Sequence, residues 1–327
     1  MKFFLNTTLV ILSLLPYATH AQYTEVINSN RPGTSQGAFA VGNQVLQLET
    51  GIGLGWDKHS LLQYESDLFM VDYALRYGLL LEQLEINFMG SYVSENGVNT
   101  MTAVPYEYKI SNFSSNTLGV KYLFYDPYRK RDLEGPNLYS WHANNSFQWR
   151  DLIPAISIFA GVNFDNKDNP YIPHNDSFVS PKVVLSTQNN LLGGWVFVTN
   201  IIADRIGQEY PTYSYILTLT HAFTPKISAF VENQGIKSDF YADQIVRTGG
   251  AYLFTNDLQL DISGGLNFKD TPSKFFIGLG VSYRLDMHKV DMRLNDDGTK
   301  YEEGQENDEK QGRSPQEVIN DFEDDKK

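Results

Sequence analysis

The chain has 327 residues, no cysteine and a formal net charge of −13, and 40 of its 44 aromatic residues are Tyr or Phe. The missing cysteines exclude disulfide scaffolds, thiol nucleophiles, thiolate zinc sites and lipid attachment at a lipobox cysteine, and the acidic balance argues against general nucleic-acid binding, which needs a basic footprint. A mean hydropathy of −0.33, with no apolar run of about 18 residues, argues against a helical membrane bundle.

Residues 1–21 read as an export signal. Lys2 supplies a minimal positive region, Leu9-Val-Ile-Leu-Ser-Leu-Leu15 an apolar core, and Thr19-His20-Ala21 the small residues of a cleavage site. The alternative is a buried N-terminal helix. Residues 22–43 are then expected to be an N-terminal segment lying in the periplasm.

From residue 44 onward the dominant pattern is alternation. Leu46, Leu48, Thr50, Ile52, Leu54 and Trp56 fall on one face of a strand, and Gln47, Glu49, Gly51, Gly53 and Gly55 on the other. The same pattern recurs at 69–78, 84–92, 258–268 and 275–285. It predicts twelve strands: 44–56, 67–78, 83–94, 115–125, 154–164, 179–188, 191–202, 212–222, 226–235, 244–254, 257–268 and 274–285. A soluble sandwich also alternates. Spanning length, an inner face of Gly mixed with full charges, and aromatics gathered near strand ends favour a transmembrane antiparallel up-and-down β-barrel over residues 44–285. An even strand count puts both barrel ends in the periplasm. Short turns are expected there, at Leu80-Leu81, Asn189-Asn190, Thr224-Pro225 and Asn256, with longer loops outside, among them 95–114.

One connection departs from this scheme. Residues 126–153 lie where a tight turn belongs, so they are either a periplasmic insertion or the sign of a miscounted strand. They carry Arg129-Lys130-Arg131 and then Trp141 and Trp149. Beyond the last strand, residues 286–327 hold 14 Asp and Glu against 7 Lys and Arg, which predicts a disordered acidic tail. Within it Ser314-Pro-Gln-Glu317 is a capping box, opening a short helix over about 315–323 with Val318, Ile319 and Phe322 on one edge. The tail is read either as a frayed terminus or as a docking peptide. Arg129, Lys130, Arg131, Trp141, Trp149, Val318, Ile319 and Phe322 are the candidate contacts for a periplasmic or outer-membrane protein.

The predicted inner face carries Glu49, Asp72, Glu85, Glu232 and Asp261 against Arg76, Lys121, Lys182, Arg247 and Arg284. A selective ion channel would show a ring of one sign. Balanced charge predicts cross-strand pairs that fill a narrow pore. A two-residue turn at Leu80-Leu81 would set Arg76 directly opposite Glu85, and closure of strand one on strand twelve would bring Arg284 near Gln47 and Glu49. The histidines show no metal-ligand spacing. His142-Ala-Asn-Asn-Ser146 and His174-Asn-Asp-Ser177 fall in loops rather than on a lipid-facing strand where an acyl hydrolase needs its nucleophile, so neither a catalytic residue nor a cofactor is expected.

Arg31-Pro-Gly-Thr-Ser35, Gly42-Asn-Gln-Val-Leu-Gln-Leu-Glu-Thr-Gly51, Leu75-Arg-Tyr-Gly78, Leu118-Gly-Val-Lys-Tyr122, Leu258-Gln-Leu-Asp261 and Gly280-Val-Ser-Tyr-Arg-Leu285 occur in that order along the chain. Through them the sequence resembles the outer-membrane family of transporters of the MetA pathway of phenol degradation. The resemblance implies an outer-membrane barrel of a Gram-negative bacterium and transport of small apolar compounds. The 126–153 insertion and the acidic tail depart from the family pattern, as does Val162-Asn-Phe-Asp-Asn166, where the family often has Pro-Thr-Gly. Two functions stay open at this point. One is a passive channel or transporter for a small-molecule solute, set in outer-membrane lipid. The other is a non-transporting barrel subunit of an assembly or secretion complex.

Overall fold

The computed structural model describes residues 26–129, 139–140, 149–165, 169–172 and 177–287. The expected export signal, Lys130, Arg131, Trp141 and the tail residues Val318, Ile319 and Phe322 lie outside them.

Twelve antiparallel strands form a closed barrel in which each strand pairs with its sequence neighbours and β1 closes on β12. They are β1 (Val45–His59), β2 (Tyr64–Gly78), β3 (Leu84–Asn99), β4 (Tyr106–Tyr125), β5 (Ala155–Phe164), β6 (Val179–Leu191), β7 (Trp195–Asp204), β8 (Thr212–Ala222), β9 (Ile227–Lys237), β10 (Ala242–Thr255), β11 (Leu258–Asn267) and β12 (Ser273–Asp286). Closure leaves no edge, which is what a sheet needs in a medium that offers backbone groups no hydrogen bonds.

The two faces are inverted relative to a soluble protein. Outward side chains are apolar and exposed, Ile52 at 54 % and Leu279 at 55 %, whereas inward Gln47, Arg76, Glu85 and Lys121 are all at 0 %. A sandwich would bury the first set and wet the second. This barrel faces lipid.

Val45 and Asp286 mark the near end of the barrel, and the opposite end is the far end. Strands are longer at the far end than the alternation alone indicates. The expected 95–114 loop shrinks to residues 100–105, because β3 and β4 keep pairing as far as Asn99 and Tyr106, past a bulge at Ser91/Tyr92. Polar residues on both faces hid this part of the ladder.

Two near-end turns also move. The β2–β3 turn spans 79–83, with Leu80 at φ 60° and Leu79 N–H donating to the Leu84 carbonyl. Arg76 is therefore paired with Asn87, and Glu85 with Gly78. A slip of two residues keeps every side chain on its face. The β6–β7 turn falls at 192–194 rather than Asn189-Asn190, since Gly193 and Gly194, both at φ 77°, supply the positive φ that a tight hairpin needs. Pro181 sits near the start of β6, before its ladder with β7 begins at Val183, so its missing N–H breaks no bond there. Between β4 and β5 the described residues include a short 3-10 turn, Trp149–Leu152.

Candidate functional site

The interior is occupied by the chain's own N-terminal segment. Residues 28–41, expected to lie in the periplasm, instead run through the lumen and bond to inward side chains on opposite sides of the barrel. The segment has no regular secondary structure, so its buried amides and carbonyls need side-chain partners.

Inward polar residues provide them. Asn30 N–H donates to Glu49 at 3.3 Å, Thr34 N–H and Ser35 N–H to Glu232 at 3.0 and 3.2 Å, Gln36 N–H to Asn200 at 2.7 Å, Ala38 N–H to Gln188 at 3.1 Å and Val41 N–H to Glu85 at 3.0 Å. In the other direction the Asn28 carbonyl accepts from Gln47 and Arg76, the Arg31 carbonyl from Gln259, and the Phe39 carbonyl from Lys121 Nζ at 2.9 Å. The lumenal side chains thus replace a missing β-ladder for this plug.

Arg31 is its anchor. The guanidinium donates through Nε and Nη2 to the two oxygens of Asp261, at 3.1 and 3.0 Å. It lies over the cross-strand pair Gly51 and Gly280, where a Cβ would stand 2.4 and 2.2 Å from its nearest nitrogens. Only glycine leaves room for it there.

The predicted lumenal charges divide into several groups. Arg76 binds Glu49 and Glu85, each at 2.9 Å, and Lys121 joins Glu85 at 3.3 Å, making one fully buried cluster near the plug's exit. Arg247 pairs with Glu232 at 3.1 Å. Lys182 pairs with Asp204 near the far end, at 2.9 Å. Arg284 lies across from Gln47 in register, but its guanidinium binds Asp257 at 2.7 Å rather than Glu49. Asp72 is exposed within the lumen. Of the expected partner contacts, Arg129 N–H donates to Asp126 and Trp149 is exposed.

Above the plug, toward the far end, is a chamber of about 290 Å³. Its floor includes Arg31, Pro32 and Gly33, and Leu68, Met70, Ile245 and Phe276 project into it. A second cavity of about 610 Å³ occupies the far mouth, lined by Tyr171, Tyr210, Phe240, Tyr241 and Lys274. Lys274 lines both and stands between them. In the mouth, burial pushes the Tyr171 hydroxyl up to about 12, with Glu95 and Tyr92 adding to it. Burial also raises Tyr241, followed by the hydrogen bond it donates to the Asp243 carboxylate.

The wall beside the chamber is thin. One inward row across four strands reads Gly249, Ser263, Gly278 and Gly53. On the outer surface behind it is an apolar concavity of about 600 Å³, rimmed by Leu54, Phe69, Ile262 and Leu279 and deepened by outward Gly264. The outer concavity and the inner chamber share Ile52, Gly53, Ser263, Ile277 and Gly278. They stand back to back across a single layer of backbone.

A model of the family described as "Putative MetA-pathway of phenol degradation" matches residues 29–285, from inside the plug to the penultimate residue of β12. The chain belongs to that family. No curated protein matches it. Among solved structures it is similar to an outer-membrane channel from Pseudomonas putida F1, at 10 % identity and a TM-score of 0.49 over 79 % of this chain and 100 % of that one. It is also similar to the translocator domain of the autotransporter NalP from Neisseria meningitidis, at 9 % identity and a TM-score of 0.45 over 75 % and 89 %. A third is the CymD monoaromatic hydrocarbon channel, at 9 % identity and 0.42 over 76 % and 90 %. As a closed barrel with a lipid-facing outer surface, this family member is an outer-membrane protein.

The plug residues Asn28, Arg31, Thr34 and Gln36 were missed as a site by sequence reasoning. Their signal was present on the barrel side. Inward glycines at 51, 53, 55, 278 and 280 leave space that paired charges do not fill, and a Cβ-free surface on a strand marks close approach of another group.

Proposed function

We propose that this barrel is a passive uptake protein for small apolar molecules, admitting them at the far mouth and releasing them sideways into the membrane through the β10–β11–β12–β1 wall. The near end, with both barrel termini, faces the periplasm in this reading. Direct passage is blocked by the plug and its buried ion pairs, which favour neither an ion path nor an apolar solute. An apolar molecule in the chamber gains on moving into lipid, at about 25 cal/mol per Å² of apolar surface removed from water. The observation that carries the reading is the pair of concavities, an inner one of about 290 Å³ with an apolar side at Leu68, Met70, Ile245 and Phe276 and an outer apolar one of about 600 Å³, sharing five residues of a glycine-lined wall.

The chain has no cysteine, so a Gly53→Cys/Gly278→Cys variant creates the one disulfide it can form. These residues are cross-strand neighbours of β1 and β12, at a spacing a disulfide spans. In Gram-negative cells, uptake of a radiolabelled aromatic hydrocarbon is expected to fall when the staple is oxidised and to return on reduction. Uptake unaffected by the staple rejects the sideways route. Uptake no faster than in cells lacking the barrel rejects the transport reading.

A further inference from the structure

The chamber above the plug contains an imbalance of charge. Each cation that lines it has a carboxylate partner: Arg31 with Asp261 at 3.0 Å, Arg247 with Glu232 at 3.1 Å and Lys274 with Asp57 at 3.5 Å. Asp57 and Asp72 are the carboxylates on the lining, and Asp57 is taken by Lys274. Asp72 is different. Among the described residues its carboxylate makes no direct ion pair and no hydrogen bond; its charge acts at longer range on Arg247, whose guanidinium is bonded to Glu232, and its backbone carbonyl accepts from Thr50 Oγ1 at 3.0 Å.

Its position follows from the register. One inward row reads Asp261, Gly280, Gly51 and Asp72 across β11, β12, β1 and β2. Arg31 lies over the two glycines, between the two aspartates, and donates through Nε and Nη2 to Asp261, with Nη1 over Gly51 and no hydrogen bond to Asp72 among the described residues. A planar guanidinium held in a bidentate pair keeps its geometry. Asp72 is left facing the chamber, one residue pair from Met70 and two from Leu68 on the same face of β2.

From this geometry we infer that the chamber binds a small apolar molecule carrying a cationic head, an alkyl or aryl amine, with the ammonium on Asp72 and the apolar body against Leu68, Met70, Ile245 and Phe276. This rests on the uptake reading and names the ligand class of the same chamber. A volume of about 290 Å³ suits such a molecule, since a cavity of about 150 Å³ accommodates benzene. An ammonium in this position gives Asp72 the direct ion pair that Arg31 and Arg247, bonded to Asp261 and Glu232, do not make with it. A carboxylate of the same shape would meet Asp72 with like charge, and a neutral analogue would keep the apolar contacts alone.

The test uses the full mature barrel in nanodiscs at low salt, titrated calorimetrically with 4-phenylbutylamine, 4-phenylbutan-1-ol and 4-phenylbutyrate. The amine is expected to bind the native barrel at least tenfold more tightly than Asp72→Asn, with Asp72→Glu restoring most of the difference. The alcohol should bind the native protein and Asp72→Asn alike, and the carboxylate should bind the native protein most weakly. Because Asp72 is exposed and its side chain makes no hydrogen bond or direct ion pair among the described residues, Asp72→Asn is expected to leave the ladder and the plug in place. Equal binding of the amine to both proteins, with the alcohol still binding, overturns the cationic head and leaves the chamber's apolar contacts standing. No binding of any of the three overturns the chamber as an uptake site, and this inference with it.

Discussion

Arg31 and Asp261, 230 positions apart in the chain, are joined by two parallel hydrogen bonds of 3.1 and 3.0 Å inside the barrel. The first belongs to a segment with no regular structure, and the second to β11. Gly51 and Gly280 make the pair possible by leaving bare backbone beneath the guanidinium. A bond, a seat and the amide contacts of Glu232 on the following residues hold the plug at mid-barrel.

Replacing Gly280 by Ala places a methyl group about 2.2 Å from Arg31 Nε and Nη2. The strand itself accepts Ala, so the barrel still forms, but the guanidinium is pushed off Asp261. Single-channel recordings in planar bilayers should show low conductance for the native protein and a several-fold higher or flickering conductance for Gly280→Ala. Identical traces would remove Arg31 from the closure.

Deleting residues 28–41 takes away the plug and none of the twelve strands. The variant is expected to keep its heat-modifiable mobility on unboiled gels and to conduct steadily. Loss of the mobility shift would mean that the plug is needed for closure of the sheet.

Arg76 is fully buried between Glu49 and Glu85. Arg76→Met leaves both carboxylates in place, with Lys121 still on Glu85. Removing one partner from a buried ion cluster costs about 3–5 kcal/mol. Denaturant unfolding of the variant should show a loss on that scale, whereas a loss under about 1 kcal/mol would indicate a wet, solvent-screened cluster.

The far mouth has its own pH signature. Tyr241 is raised above the ordinary tyrosine value by burial and by donating to the Asp243 carboxylate. A raised folded-state value means that the neutral form is favoured by the fold, so its contribution is complete below about pH 10 and is lost as pH rises through the raised value. Absorbance at 295 nm should therefore show a late-titrating fraction, including Tyr171 near pH 12, which ionises with the ordinary tyrosines once the barrel is unfolded. Tyr241→Phe should remove one late-titrating group and part of the alkaline sensitivity of the 238–241 loop to protease.

Much of this barrel was legible from residue order. Alternation at Leu46–Trp56 and Phe275–Leu285 assigns faces because a strand has a period of two, and no other element shares that period. Twelve strands and the pairing of β1 with β12 follow from that pattern and from closure. Strand ends were less legible where both faces are polar, as at 95–114. The turn at 79–83 was not legible either, since a leucine at positive φ leaves no composition signal.

The lumen is a different kind of problem. The sequence by itself determined that Glu49, Arg76, Glu85, Lys121, Glu232 and Asp261 point inward, a local consequence of strand geometry. Only the tertiary structure decided what they hold. Which carboxylate takes Arg31, which amides reach Glu232 and why Asp72 is left over depend on residues 28–41 entering a closed cylinder. A segment without secondary structure has no periodicity to read, and its partners are drawn from strands spread over more than 200 positions of chain.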